Sequence, residues 1–152
     1  MPTQITTAYH GDSLSGSSEK RLDIAPDGTL WLCVADSNRA RFFSSTNGGA
    51  SWAAAANSDL TYGRGQDTGT PSFFIDSEGY AHVTFVRWQQ NPQTLLYGRG
   101  TPRTGGGWSW KTLVLSPAGG RMNVDSDVIA FRNGTGWVAW ITWSYGSSGG
   151  SR

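Results

Sequence analysis

One cysteine, two histidines and two glutamates are all that a chain of 152 residues offers to the chemistry those side chains carry. Cys33 has no partner for an intrachain disulfide. It sits in the apolar run Leu30-Trp31-Leu32-Cys33-Val34, where a buried, inert thiol is expected rather than a nucleophile. With only His10 and His82 beside it, no zinc site can be assembled from histidine and cysteine alone. Charge is scarce as well, at 15% of residues and net +1, so no bulk attraction to nucleic acid or to an anionic membrane is expected. No apolar stretch is long enough to span a bilayer, and membrane insertion is not expected. Met1-Pro2-Thr3-Gln4 has neither the basic nor the apolar region of a secretory signal peptide. No metal and no cofactor is expected.

What the chain has in excess is glycine, 21 residues, and tryptophan, eight, with aromatics at 12%. Low charge, many aromatics and many turn-formers fit a compact all-β protein of one domain. Three segments align. They are Leu22-Asp23-Ile24-Ala25-Pro26-Asp27-Gly28-Thr29-Leu30-Trp31-Leu32-Cys33-Val34, then 72–85, then 128–140. Each is a short apolar strand, a polar turn with glycine and a second strand. Gly28 and Gly79 stand 51 residues apart, Gly79 and Gly136 57 apart. Self-similarity at a period of this size is a mark of propeller blades.

The pattern predicts strands A to D at about 21–25, 29–35, 40–45 and 52–56, and again at about 71–75, 80–88, 94–99 and 108–115. A third repeat has strands at 126–131 and 136–143 only. Ala53-Ala54-Ala55-Ala56 favours helix by propensity, but four residues are too few to nucleate one. Gln4–Tyr9 reads as a spare strand that would close a sheet begun elsewhere. The expected organisation is therefore one domain over 1–152, with repeats at about 20–56, 71–115 and 126–152 and a closing strand at 4–9. Three sheets cannot close a ring. A longer chain, several copies or a partner would have to cover the open sides.

The turn between the third and fourth strands of the first repeat is Ser45-Thr46-Asn47-Gly48-Gly49-Ala50-Ser51-Trp52. Asn47 tolerates left-handed backbone and can bond its own backbone through its side chain. Gly48 and Gly49 supply positive φ, Ser45 and Ser51 can bond across the turn, and Trp52 folds back as an apolar plug. This octapeptide resembles the Asp-box, or BNR repeat, of sialidase-like β-propellers, S-x-D-x-G-x-T-W, with Asn for Asp and Ser for Thr. Thr104-Gly105-Gly106-Gly107-Trp108-Ser109-Trp110 occupies the same place in the second repeat and reads as a decayed box ending at Trp110. The resemblance implies four-stranded antiparallel blades, about three of them present as a partial ring. It makes Ser45, Asn47, Gly49 and Trp52 structural, on the face away from ligands, together with the turn residues Asp27, Asp76, Glu78 and Asn133.

The opposite face holds the B–C and D–A loops. Its candidate ligand-binding residues are Asp36, Arg39, Trp88, Gln89, Trp143 and Tyr145. Aromatic faces stack on sugar rings, while amides and guanidinium forks bond hydroxyls and carboxylates. Trp88 and Trp143 equally suit packing between sheets. Sialidases use three arginines, a tyrosine–glutamate nucleophile and an aspartate acid. Here Arg21-Leu22-Asp23 lies near the first arginine's place without the Ile-Pro that follows it in that family, and Glu19 and Glu78 are the only glutamates. The resemblance extends to none of the catalytic set, and no catalytic residue is assigned. The expected function is recognition of a surface glycan or cell-surface receptor. Such propellers resemble blades of tailed-bacteriophage tail proteins, which implies a virion or extracellular location without a signal peptide and neighbours in a larger assembly. The rival expectations are a fragment of an exo-sialidase-like glycoside hydrolase and a purely structural ring.

Overall fold

The computed structural model describes residues 20–36, 39–61, 71–87, 94–115 and 126–143. These residues are all-β, with no helix among them. The first sheet contains β1 (Leu22–Ile24), β2 (Leu30–Asp36) and β3 (Arg39–Ser45), with β4 (Ala53–Ala54) and β5 (Leu60–Thr61) sharing the far edge of β3. The second runs β6 (Ser72–Ile75), β7 (Ala81–Arg87), β8 (Thr94–Pro102) and β9 (Trp108–Val114), in that order. The third is a hairpin of β10 (Ser126–Asn133) and β11 (Gly136–Trp143). Every pairing is antiparallel. The described residues form two four-stranded sheets and a hairpin, and no closed ring. The strand expected at 4–9 lies outside them.

The first repeat departs from expectation at its fourth strand. In place of a continuous strand over 52–56, pairing stops after Ala54 and resumes at Leu60. Four alanines give no alternation of large and small side chains to hold a register. The chain therefore lifts off between the two short pieces, through Asn57 at φ 55°. Leu60–Thr61, beyond the last strand expected of this repeat, are thus strand. Left-handed backbone falls on Asn57, not on Asn47.

The sheets pack face to face. Residues 81–86 of β7 are all buried, as expected for a strand covered on both sides. Between the first two sheets, Phe42, Phe73 and Trp108 meet with ring centroids 5.3–5.7 Å apart, and Trp110 stacks on Phe42 at 5.1 Å. Trp31 lies 4.2 Å from Trp108. Each such side chain, fully buried, contributes about 1.5–3 kcal/mol. A smaller cluster of Val86 and Leu95 with Leu115 and Ile141 joins the second sheet to the hairpin.

Polar contacts set the first strands of successive sheets side by side. Asp23 Oδ2 accepts a hydrogen bond from the Ile75 amide at 2.7 Å, and Lys20 O accepts one from the Phe73 amide at 2.6 Å. Ser72 Oγ donates to Asp127 at 2.6 Å, and Ser126 Oγ to Thr84 at 3.0 Å. The outward faces of the end sheets remain apolar: Leu22 and Ile24 on one, Ile129, Phe131 and Trp140 on the other, all exposed.

Candidate functional site

The glycine turns all lie at one end of the sheets. In the octapeptide turn, Asn47 is the hub. Its Oδ1 accepts from Ser45 Oγ and from the Ser51 amide, both at 2.9 Å, and its Nδ2 donates to Ser51 Oγ at 2.8 Å. Ser45 Oγ accepts from the Gly49 amide at 2.9 Å. Gly48 and Gly49 have φ of 69° and 89°. A Cβ on Gly49 would stand 3.8 Å from both Trp52 and Leu30, so the half-buried indole closes the turn against β2.

The second turn is held differently. Arg103 N bonds Gly107 O and Gly106 N bonds Arg103 O, each at 3.1 Å. By register Trp108, not Trp110, stands at the mouth of this turn opposite Pro102, while Trp110 faces Gly100 two residues deeper. The anchor comes from the first sheet: buried Ser58 Oγ accepts from the Trp108 amide at 3.1 Å, and Ser58 O from the Trp110 indole at 2.7 Å. The lifted segment of the first repeat thus serves as the clasp that the second turn lacks.

The first-strand turns are aspartate-capped. Asp27 Oδ1 accepts from the Thr29 amide at 2.9 Å, which lowers its pKa. Asp76 Oδ1 accepts from the amides of Glu78 and Tyr80 at 2.9 Å. Glu78 reaches across to the hairpin, pairing Arg132 at 3.1 Å and accepting from the Trp137 indole at 3.1 Å.

At the other end lie Asp36, Arg39 and Trp143, the candidate ligand residues within the described range. Asp36 and Arg39 are paired across the β2–β3 connection. Arg39 Nη1 lies 3.0 Å from Asp59 Oδ2, and Arg41 Nε 3.9 Å from the same oxygen. The β5 pairing brings Asp59 there, so Arg39 is held in an ion pair. Both partners are substantially solvated, and a pair of this kind is worth about 0–1 kcal/mol. Trp143 ends β11 opposite Ser126 and is half exposed. Arg39 and Trp143 therefore share the loop end of their sheets. Trp88, Gln89 and Tyr145 lie outside the described residues. Arg21 is buried and precedes β1 beside fully buried Cys33, whose thiol pKa is pushed up by desolvation.

Sequence reading missed a buried chain of side chains. His82 Nε2 lies 3.0 Å from Asp76 Oδ2, and its Nδ1 2.7 Å from Tyr97 Oη. Burial pushes His82 below its ordinary pKa, against the Asp76 hydrogen bond, and pushes Tyr97 up. A neutral imidazole therefore donates through Nε2–H to Asp76 and accepts a hydrogen bond at Nδ1 from the Tyr97 hydroxyl. His82 alternates with Thr84 along β7, and that alternation was the available signal. The partner fifteen residues on is visible only once β7 and β8 are in register. Compared with protein-family models, with curated proteins and with solved structures, the chain matches none.

Proposed function

We propose that the three sheets are successive blades of a sialidase-like β-propeller, and that the chain is a non-catalytic recognition module engaging a surface glycan or receptor within a phage tail or similar extracellular assembly. The Asn47-centred turn carries this reading. Its side chains make the bonds an Asp-box needs, and the repeated sheets stack with β1, β6 and β10 in sequence. The loop end of the sheets is the binding face. There Arg39 is ion-paired yet partly solvated, and Trp143 offers an exposed indole. Such a pairing of guanidinium and ring suits a sugar bearing hydroxyl or acidic groups.

Adsorption to bacterial cells and binding to a glycan array test the proposal. Trp88→Ala and Arg39→Ala are expected to lower both. Asp59→Ala breaks the same ion pair while keeping the arginine, and should spare binding. Unchanged adsorption in the first two variants rejects the loop end as the site.

A structural role within an assembly is favoured by a separate observation. Ile129, Phe131 and Trp140 on one terminal sheet, and Leu22 and Ile24 on the other, remain exposed. Apolar faces of this kind are usually covered by a neighbour. Further subunits, or more copies of this chain, would complete the ring by covering them.

A further inference from the structure

The face of the second sheet that meets the hairpin carries two cross-strand rows. One is Ser72, Thr84, Tyr97 and Leu113; the other is Phe74, His82, Arg99 and Lys111. The hairpin is tied by polar bonds to only the first half of this face. Its polar bonds reach Ser72, Thr84 and Glu78, on or before β7, and β10 packs on β6 and β7. Beyond His82 the sheet and the hairpin stand apart. A cavity of about 430 Å³ lies there, lined by His82, Tyr97, Arg99, Trp137 and Ala139.

Arg99 and Lys111 are directly opposite on β8 and β9. Like charges so placed repel and destabilise a sheet. Among the described residues neither meets a carboxylate. Arg99 instead stacks its guanidinium on Tyr80 at 4.1 Å, and its Nε is buried without a hydrogen-bond partner. His82 and Tyr97 are both neutral in this setting, so the arginine supplies the cavity's charge. Asp76, behind His82, is occupied by that imidazole and by two backbone amides. The Tyr97 hydroxyl donates its hydrogen bond to His82, which leaves lone pairs on its oxygen to accept. Trp137 spends its indole N–H on Glu78, so its remaining contribution to the cavity wall is apolar ring. A guanidinium, an accepting oxygen and an aromatic wall in one cleft, with Lys111 as the cross-strand neighbour of that guanidinium, match an anion carried on a hydroxylated ring.

We propose that this cleft binds a hexuronate unit of an acidic polysaccharide, its carboxylate on Arg99 and Lys111 and its ring against Trp137. The ligand class rests on the recognition reading above, whereas the location does not: this cleft is distinct from the loop end.

The test is titration of the full chain with tetragalacturonate and with neutral maltotetraose, followed by calorimetry and tryptophan fluorescence. Tetragalacturonate is expected to bind and maltotetraose not. Arg99→Gln should weaken the acidic sugar about tenfold or more, and Lys111→Gln about threefold, since the exposed ammonium is better screened. Arg103→Gln removes the same charge from the turn between β8 and β9, outside this cleft, and should leave affinity unchanged. Near-UV circular dichroism checks each fold. Should Arg99→Gln unfold the chain, the exposed Lys111→Gln carries the test alone. Equal binding of both sugars, or full affinity in the Arg99 and Lys111 variants, overturns the proposal. So does loss of tetragalacturonate binding in Arg39→Ala alone, which would move the acidic sugar to the loop end and strengthen that reading. Tetragalacturonate binding governed by Arg99, with cell adsorption indifferent to Arg39 and Trp88, upholds this cleft and rejects the loop end.

Discussion

Gly107→Ala is the sharpest perturbation this fold offers. Gly105, Gly106 and Gly107 all have positive φ, at 93°, 94° and 72°. An L-residue there costs about 1–2 kcal/mol from backbone sterics. At Gly105 and Gly106 nothing lies within 4 Å of a new Cβ, so that cost is the whole effect. At Gly107 the Cβ would stand 1.8 Å from Ser58 Oγ and 3.0 Å from Ser58 Cβ. Ser58 must then move, and the Trp108 amide loses its buried acceptor. An orphaned buried amide adds about 1–3 kcal/mol, for a total of about 2–5 kcal/mol, against about 1–2 for Gly105→Ala. Urea unfolding followed by tryptophan fluorescence would measure both. The decisive arm is the double variant with Ser58→Gly, which removes the obstructing Oγ and Cβ. In that background the cost of Gly107→Ala should fall to that of Gly105→Ala, a coupling of about 2 kcal/mol. If Gly107→Ala costs no more than Gly105→Ala in the parent chain, or the same with Ser58 as without it, Ser58 is not the clasp of the second turn.

Three further outcomes are expected. Asn47→Ala removes three side-chain hydrogen bonds from a largely exposed turn and should destabilise the chain by about 1–3 kcal/mol, whereas Asn47→Asp keeps the oxygen that accepts from Ser45 and Ser51 and should cost under about 0.5 kcal/mol; denaturant midpoints distinguish them. Asp23→Ala should cost about 1–3 kcal/mol by orphaning the Ile75 amide, while Asp23→Asn, which retains an acceptor, costs less; hydrogen exchange at Ile75 should accelerate in the alanine variant first. His82 has a folded pKa below its unfolded value, so the unfolded state binds the proton more readily. Its stabilising contribution is therefore complete above about pH 6.5 and is lost as the pH falls below that. Unfolding free energy measured from pH 8 to 5 should decline, with a shallower decline in His82→Gln.

The alternation of apolar strands with glycine turns was readable in one dimension because it repeats about every fifty residues. Strands β1 to β3 and β6 to β11 stand close to where that alternation puts them. The Asn47 turn was equally legible, since its partners lie within four residues of one another. The fourth strand of the first repeat was not. The alanine run has too little side-chain volume to specify pairing, and its path follows the needs of Trp108 and Trp110 some fifty residues later. Among candidate ligand residues, Arg39 was found by composition and position, but its partner Asp59 depended on the β5 register. The chain from Asp76 through His82 to Tyr97, and the row from His82 to Lys111, escaped notice for the same reason.

Local chemistry thus sets what each segment is: strand, turn or clasp, since those choices rest on neighbours a few bonds away. Which residues meet is another matter. Ser58 under Trp108, Asp23 against Ile75, and Arg99 beside Lys111 over an open cleft all depend on how whole sheets register and stack. Many weak contacts between distant segments settle that together, and no short stretch of the chain contains the answer.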